Sequence, residues 1–175
     1  MRSFLATTMG AALIAVVATG AIAQQSTNRV AAKTDWSVFV EDDPTECWAV
    51  SSPKETVNTK DGRVVAVRRS EILLFVSFRP GSSVKSELSF TGGYPFANGS
   101  TVSASIGENS YEFFTSGENA WPASPAEDAK IITAMKRGAE VTFTGRSGRG
   151  TVTKDKFSLL GFTAAVEEAA KRCAK

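Results

Sequence analysis

Histidine does not occur anywhere in the 175 residues of this chain. Its absence removes the usual general base near neutral pH and the commonest protein metal ligand. A Ser-His-Asp or Cys-His catalytic arrangement is therefore excluded. A dominant charge sign is missing too: 20 Lys and Arg stand against 18 Asp and Glu, a net charge of +2. A dedicated nucleic-acid binder normally carries a strong basic excess or stripe, so no nucleic acid is expected as a partner. Cysteine is reduced to Cys47 and Cys173, with no C-x-x-C. Two thiolates without histidine make a poor zinc site, and neither a metal nor a cofactor is expected. Beyond the N-terminal segment, no apolar run approaches the roughly 20 residues that a spanning helix needs.

The N-terminal segment is what sets the expected compartment. Arg2 supplies a short positive region, and the uncharged stretch FLATTMGAALIAVVATGAIA follows it. It ends in Ala21-Ile22-Ala23, the small-x-small pattern of a signal peptidase site. Residues 1–23 therefore read as a signal peptide cleaved before Gln24, with no membrane span left afterwards. The mature protein is expected in the periplasm, secreted, or associated with the cell envelope. In an oxidising compartment two cysteines read as one disulfide, Cys47 to Cys173. A loop that long constrains the unfolded chain by about 4–5 kcal/mol in the chain-entropy account.

Residues 24–34, QQSTNRVAAKT, are polar and weakly patterned and read as a disordered leader. A single domain is expected over 35–175. DWSVFVE and CWAVSS read as strands, and GRVVAVRRSEILLFVSFRPG as two more, divided near Arg69–Glu71. KSELSFTGG, STVSASIG, SYEFFTSG, AEVTFTGRS and GTVTKDKFSL continue the series. Many short strands separated by turn signals predict a mainly β fold, an antiparallel sandwich or barrel-like domain. Two helices interrupt it. The internal one, at about 124–137, has Ser124 as N-cap, Pro125 in the first turn and Glu127 at the capping-box position. Ala129, Ile131, Ile132 and Met135 form its expected apolar face. The C-terminal helix, from about Phe162 to Arg172, aligns Phe162, Val166, Ala169, Ala170 and Cys173 on one side.

Candidate chemistry is sparse. Glu127–Asp128 sit where acids stabilise a helix N-terminus, which accounts for them. Glu41, Asp42, Asp43 and Glu46 form an acidic turn without the glycine and ligand spacing of a calcium loop. Ser51-x-x-Lys54 and Ser82-x-x-Lys85 share a spelling with serine acyltransfer enzymes, but the S-D-N and K-T-G partners are missing. GRSGRGT resembles a phosphate cradle, yet it lies between two alternating stretches with no helix directly after it. It reads as a hairpin turn in which Gly148 and Gly150 supply the geometry. No catalytic residue is assigned. A carboxylate pair drawn from Glu87, Glu108, Glu112 and Glu118, as in a carbohydrate-active enzyme, is the alternative reading; a purely structural envelope protein is another.

The segments DWSVFVEDDPTECWAVSSP, FVSFRPG, FTGGYPFANGSTVSASIG, GENAWPASPAEDAKIITAMKRGAEVTFTGRS and SGRGTVTKDKFSLLGFTAA resemble the invasion-associated locus B family over nearly the whole mature chain. That resemblance implies a small exported protein of alpha-proteobacterial type, with a role in host-cell invasion. It implies no enzymatic activity, catalytic residue or cofactor. The expected partner is an envelope or host-surface component. Arginine and aromatic side chains contribute most to interfaces, so the expected binding surface comprises Arg146 and Arg149 on the hairpin with Tyr94, Phe96 and Trp121 in loop-like sequence. The competing expectation for the three aromatics is that they plug the edge of the core.

Overall fold

Alternating apolar residues produce strands along most of the chain, in a computed structural model that describes residues 27–43, 45–82 and 84–174. The expected signal peptide, 1–23, lies outside the described residues, as do 24–26 of the leader. The first five strands are β1 (Arg29–Lys33), β2 (Trp36–Asp42), β3 (Thr45–Ser51), β4 (Glu55–Lys60) and β5 (Arg63–Val64). Next come β6 (Leu73–Arg79), β7 (Val84–Thr91), β8 (Thr101–Ile106), β9 (Asn109–Ser116) and β10 (Asn119–Trp121). Helix α1 (Pro125–Met135) precedes β11 (Glu140–Arg146) and β12 (Val152–Ser158), and α2 (Phe162–Cys173) ends the fold. The mainly β antiparallel architecture with two helices is the one expected. No helix among the described residues is long and apolar enough to cross a membrane.

All twelve strands belong to one antiparallel sheet, ordered β1-β2-β3-β6-β7-β10-β9-β8-β11-β12-β4-β5. The sheet folds over so that its two halves face each other. Phe90 on β7 stacks on Phe143 of β11 at 4.4 Å, and Phe157 of β12 meets Phe90 edge-on at 6.1 Å. Trp36 on β2 donates its indole N–H to the Ser158 carbonyl at 2.9 Å, tying the opposite rims. Period-2 alternation selects the inner face: Val141, Phe143 and Gly145 on β11, with Thr153, Asp155 and Phe157 on β12, are buried.

Helix α2 lies against β1, β2, β3 and β6. Phe162 packs on Trp36 in a T-shaped contact at 4.9 Å, and Cys173 is bonded to Cys47 of β3. The expected disulfide is thus present, pinning the last turn of the helix onto a central strand. Gly161, just before α2, has φ +87 and a backbone pressed against the Lys33 carbonyl, where a Cβ would collide. Only glycine combines that conformation with that approach.

The leader is not disordered throughout. Arg29–Lys33 form β1, paired antiparallel with β2 from Arg29↔Phe39 to Lys33↔Trp36. Polar composition suggested a tail, but the pattern Val30, Ala31 at partial burial lets the segment complete an otherwise open edge. The first half of 63–79 departs from expectation as well. Only Arg63–Val64 pair as a strand, and residues 65–72 cross irregularly between the two layers. On α1, Ile131, Ile132 and Met135 are buried as expected, whereas Ala129 is exposed and Asp128 takes the buried position.

Asp128 explains how α1 docks. β10 pairs with β7 only at Phe90 and Thr91, so the Leu88 N–H further along is left without a strand partner there. It donates instead to Asp128 Oδ1 at 2.9 Å. Burial raises the Asp128 pKa, the Leu88 N–H opposes this, and nearby Glu87 adds to the rise. A raised folded-state value means the native chain holds this proton more tightly than the unfolded chain. The resulting stability is full below the ordinary aspartate value of about 3.9 and is lost as pH rises through the raised value. Asp128→Asn keeps the acceptor without the charge and is expected to flatten that acid-side dependence with little loss at neutral pH. Asp128→Ala leaves a buried N–H unpaired and is expected to cost about 1–3 kcal/mol, measured by urea unfolding.

Candidate binding cleft

At one end of the folded sheet, the 66–70 crossing, the Gly93–Pro95 loop and the β11–β12 hairpin enclose an open cleft of about 750 Å³. The hairpin is shaped locally. Ser147 N–H donates to the Thr151 carbonyl and Gly150 N–H to the Ser147 carbonyl, each at 2.9 Å. The Gly148 N–H reaches the Pro95 carbonyl at 3.3 Å, which locks the hairpin against the neighbouring loop. Gly93 has φ +71, and a Cβ there would lie 2.6 Å from the Ser70 carbonyl. The Ser70 N–H donates to the Gly93 carbonyl at 2.9 Å, so this glycine sets how closely the crossing approaches.

Under the cleft lies a buried ion pair. Arg69 Nη1 and Nη2 donate to the two Asp155 oxygens at 2.7 and 2.6 Å. Arg69 Nε and Nη2 also donate to the Gly92 carbonyl, and Nη1 donates to Asn58 Oδ1. All five guanidinium donors are thereby used. Asp155 is fully buried, and the Arg69 side chain is 5% exposed. Thr56 donates to Asp155 Oδ1 at 3.0 Å. The guanidinium also lies 5.0 Å from the Tyr94 ring centroid. Tyr94 makes a T-shaped contact with Phe96 at 5.0 Å, and its hydroxyl is 2.7 Å from the Thr153 hydroxyl. Burial raises the Tyr94 pKa most, with the Thr153 bond and Arg69 acting the other way, so the phenol stays protonated at neutral pH.

The expected surface residues are therefore divided. Arg149 and Tyr94 both line the cleft. Arg146 ends β11 exposed and outside the lining. Phe96 is not on the surface: at 6% exposure it plugs the core beside Phe90, and its backbone bridges to Ser147 of the hairpin. Trp121 is a half-buried residue of β10 opposite the exposed Phe114, away from the cleft. The edge-plug expectation thus holds for Phe96. Arg68 joins the cleft instead; like Arg149 it is exposed and makes no ion pair among the described residues.

Sequence reasoning missed Arg68, Arg69 and Asp155. Asp155 left a readable trace, since it falls in phase with Phe157 and Thr153 on the inward side of TVTKDKFSL. An acid on a core face requires a buried partner. The other motifs resolve structurally. Ser51 donates its hydroxyl to the Asp35 carbonyl at 2.7 Å, and Lys54 pairs with the Asp35 carboxylate at 2.6 Å. Ser82 and Lys85 are exposed. Among the described residues, no three His, Cys, Asp or Glu side chains are grouped to hold a metal.

No curated protein matches this chain in sequence. A similar solved structure is the crystal structure of invasion associated protein b from Bartonella henselae, at 14% identity and a TM-score of 0.58. The likeness covers 83% of this chain and 98% of that one, and at such identity it speaks for the fold. A family model described as Invasion associated locus B (IalB) protein matches residues 36–170, from the first residue of β2 into α2. Every strand except β1 and the whole cleft lie inside that match, and the chain belongs to the Invasion associated locus B (IalB) family.

Proposed function

We propose that this is an exported, envelope-associated protein that acts by binding an envelope or host-surface component in the cleft, without turnover. The observation that carries the reading is the convergence of Arg68, Arg149 and Tyr94 on one open groove. Export is supported by the signal-like N-terminus and by the disulfide. A role in invasion is part of the same proposal, supported by the family's description and by the name of the similar Bartonella protein. The carboxylate-pair alternative gains nothing from the geometry. Of its four acids only Glu118 lines the cleft, Glu87 is bonded to Arg79, and Glu112 accepts from Thr101.

The test compares Arg68→Ala/Arg149→Ala with Arg146→Ala as immobilised mature domains incubated with envelope and host-surface extracts. The double variant is expected to lose most of the retained material, and Arg146→Ala to keep it. Circular dichroism confirms folding, since none of the three arginine side chains is ion-paired among the described residues. Equal retention by all forms would remove the cleft as the site. Hydrolysis of a glycan or peptide by the pure domain, abolished by one carboxylate substitution, would overturn the binding reading.

A further inference from the structure

We infer that the cleft binds an extended acidic peptide segment, whose backbone lies along residues 66–68 and whose carboxylates meet Arg68 and Arg149. This rests on the proposed binding role and specifies the ligand. Three independent observations converge on it. The first is backbone chemistry. The crossing is held at both ends, by Val65 N–H to the Asn58 carbonyl and by Ser70 N–H to the Gly93 carbonyl, each at 2.9 Å. Between those anchors, the N–H and C=O groups of Ala66, Val67 and Arg68 have no hydrogen-bond partner among the described residues. A short fixed run of free donors and acceptors along a groove wall is a template for adding a strand.

Charge is the second. Asp155 neutralises Arg69 from below, which leaves Arg68 and Arg149 opposed only by Glu118 among the lining residues. Two unpaired guanidinium groups suit carboxylates, which they bind through planar, bidentate hydrogen bonds. Val67, 40% exposed in the same wall, offers an apolar contact to an intervening side chain. The third observation separates peptide from glycan. Sugar recognition relies on an open aromatic face, and Tyr94 is the one aromatic residue lining the cleft. Arg69 covers its ring, Phe96 packs against it, and its hydroxyl is engaged with Thr153. The groove presents backbone groups and cations, and its lining holds no second aromatic side chain to pair with Tyr94 as a stacking platform.

Fluorescence anisotropy on the oxidised mature domain tests this with a short capped peptide alternating Glu and Val. The comparison ligands are its Lys and Val counterpart, the acidic peptide N-methylated at alternate amides, and an oligogalacturonate. The acidic peptide is expected to bind saturably, and Arg68→Ala/Arg149→Ala to weaken it about tenfold or more. N-methylation is expected to weaken it comparably, and Arg146→Ala to leave it unchanged. Absence of acidic-peptide binding, equal binding of the basic peptide, or indifference to the double variant or to N-methylation would overturn the inference. Tighter binding of oligogalacturonate with the same arginine dependence would overturn the peptide class while leaving the cleft as a binding site. Extract capture that depends on the two arginines, with no peptide bound, has that same meaning. Loss of arginine dependence in both assays defeats the proposed function as well.

Discussion

Asp155→Ala is expected to destabilise the domain by about 3–5 kcal/mol, because it strands a buried guanidinium without its counter-charge. The Arg69 side chain is 5% exposed and cannot turn to solvent without unseating the crossing that carries it. Alanine would leave Nη1 and Nη2 each with one donor unused, and the cation over the Tyr94 ring would lose its anchor. The informative companion is Arg69→Met/Asp155→Leu, which replaces both charges by apolar groups of similar bulk. Buried pairs cost desolvation as well as supplying attraction, so the double variant is expected to recover most of the loss. Urea unfolding of all three proteins measures this, and a double variant as unstable as Asp155→Ala would show that the pair does more than balance its own charges. Even at full stability, the double variant is expected to bind poorly in the cleft, since Arg69 also fixes the Gly92 carbonyl and the Tyr94 ring.

Removing the disulfide by Cys47→Ala/Cys173→Ala is expected to cost about 2–5 kcal/mol. The bond closes a sequence separation of 126 residues, so most of its effect falls on the unfolded chain. Cys47 and Cys173 are both buried, and alanine avoids placing a hydroxyl in that apolar environment. The loss is expected to be greatest around α2, whose last turn is anchored to β3 by the bond while its first turn relies on Phe162 against Trp36. Hydrogen exchange should therefore quicken at 166–173 before it quickens in the central strands. An unchanged urea midpoint after reduction would show that packing alone seats the helix.

Local pattern made most of these elements legible. The Ser124 cap accepts from the Glu127 N–H, and the alternation in VTFTG and TVTKDKFSL gives β11 and β12 almost to the residue. Cys173 on the inward side of a helical repeat pointed to the staple. What escaped was nonlocal. β4, with Glu55, Thr56, Asn58 and Thr59, carries little apolar signal and is a strand because β12 and β5 flank it. β1 was hidden by its polar context in the same way. The VVAV run looked like a strand, but Arg69 is drawn across to Asp155 and the segment must leave the sheet to follow it. Arg149 and Tyr94, which line the cleft, stand out in sequence by residue type, and residue type says nothing of direction. For that reason Phe96 turns into the core and Trp121 lies on β10 outside the cleft lining, while Arg68 reads in sequence as one charge within an apparent strand.

The sheet order also fixes when the cleft can come into being as the chain is made. β3 and β4 are consecutive in sequence, yet they stand far apart in strand order, and the main partner of β4 is β12, the last strand in sequence. Thr59 and Val152, opposite each other in that pairing, are 93 residues apart. A growing chain therefore holds β4 and the crossing after it without a template until β12 has emerged, and loop closure over that length is slow. Until then Arg69 has no Asp155, residues 66–70 have no fixed course, and the groove has only one wall. The cleft proposed to bind is completed only once the final strand is in place, and no fragment that stops short of it holds both walls.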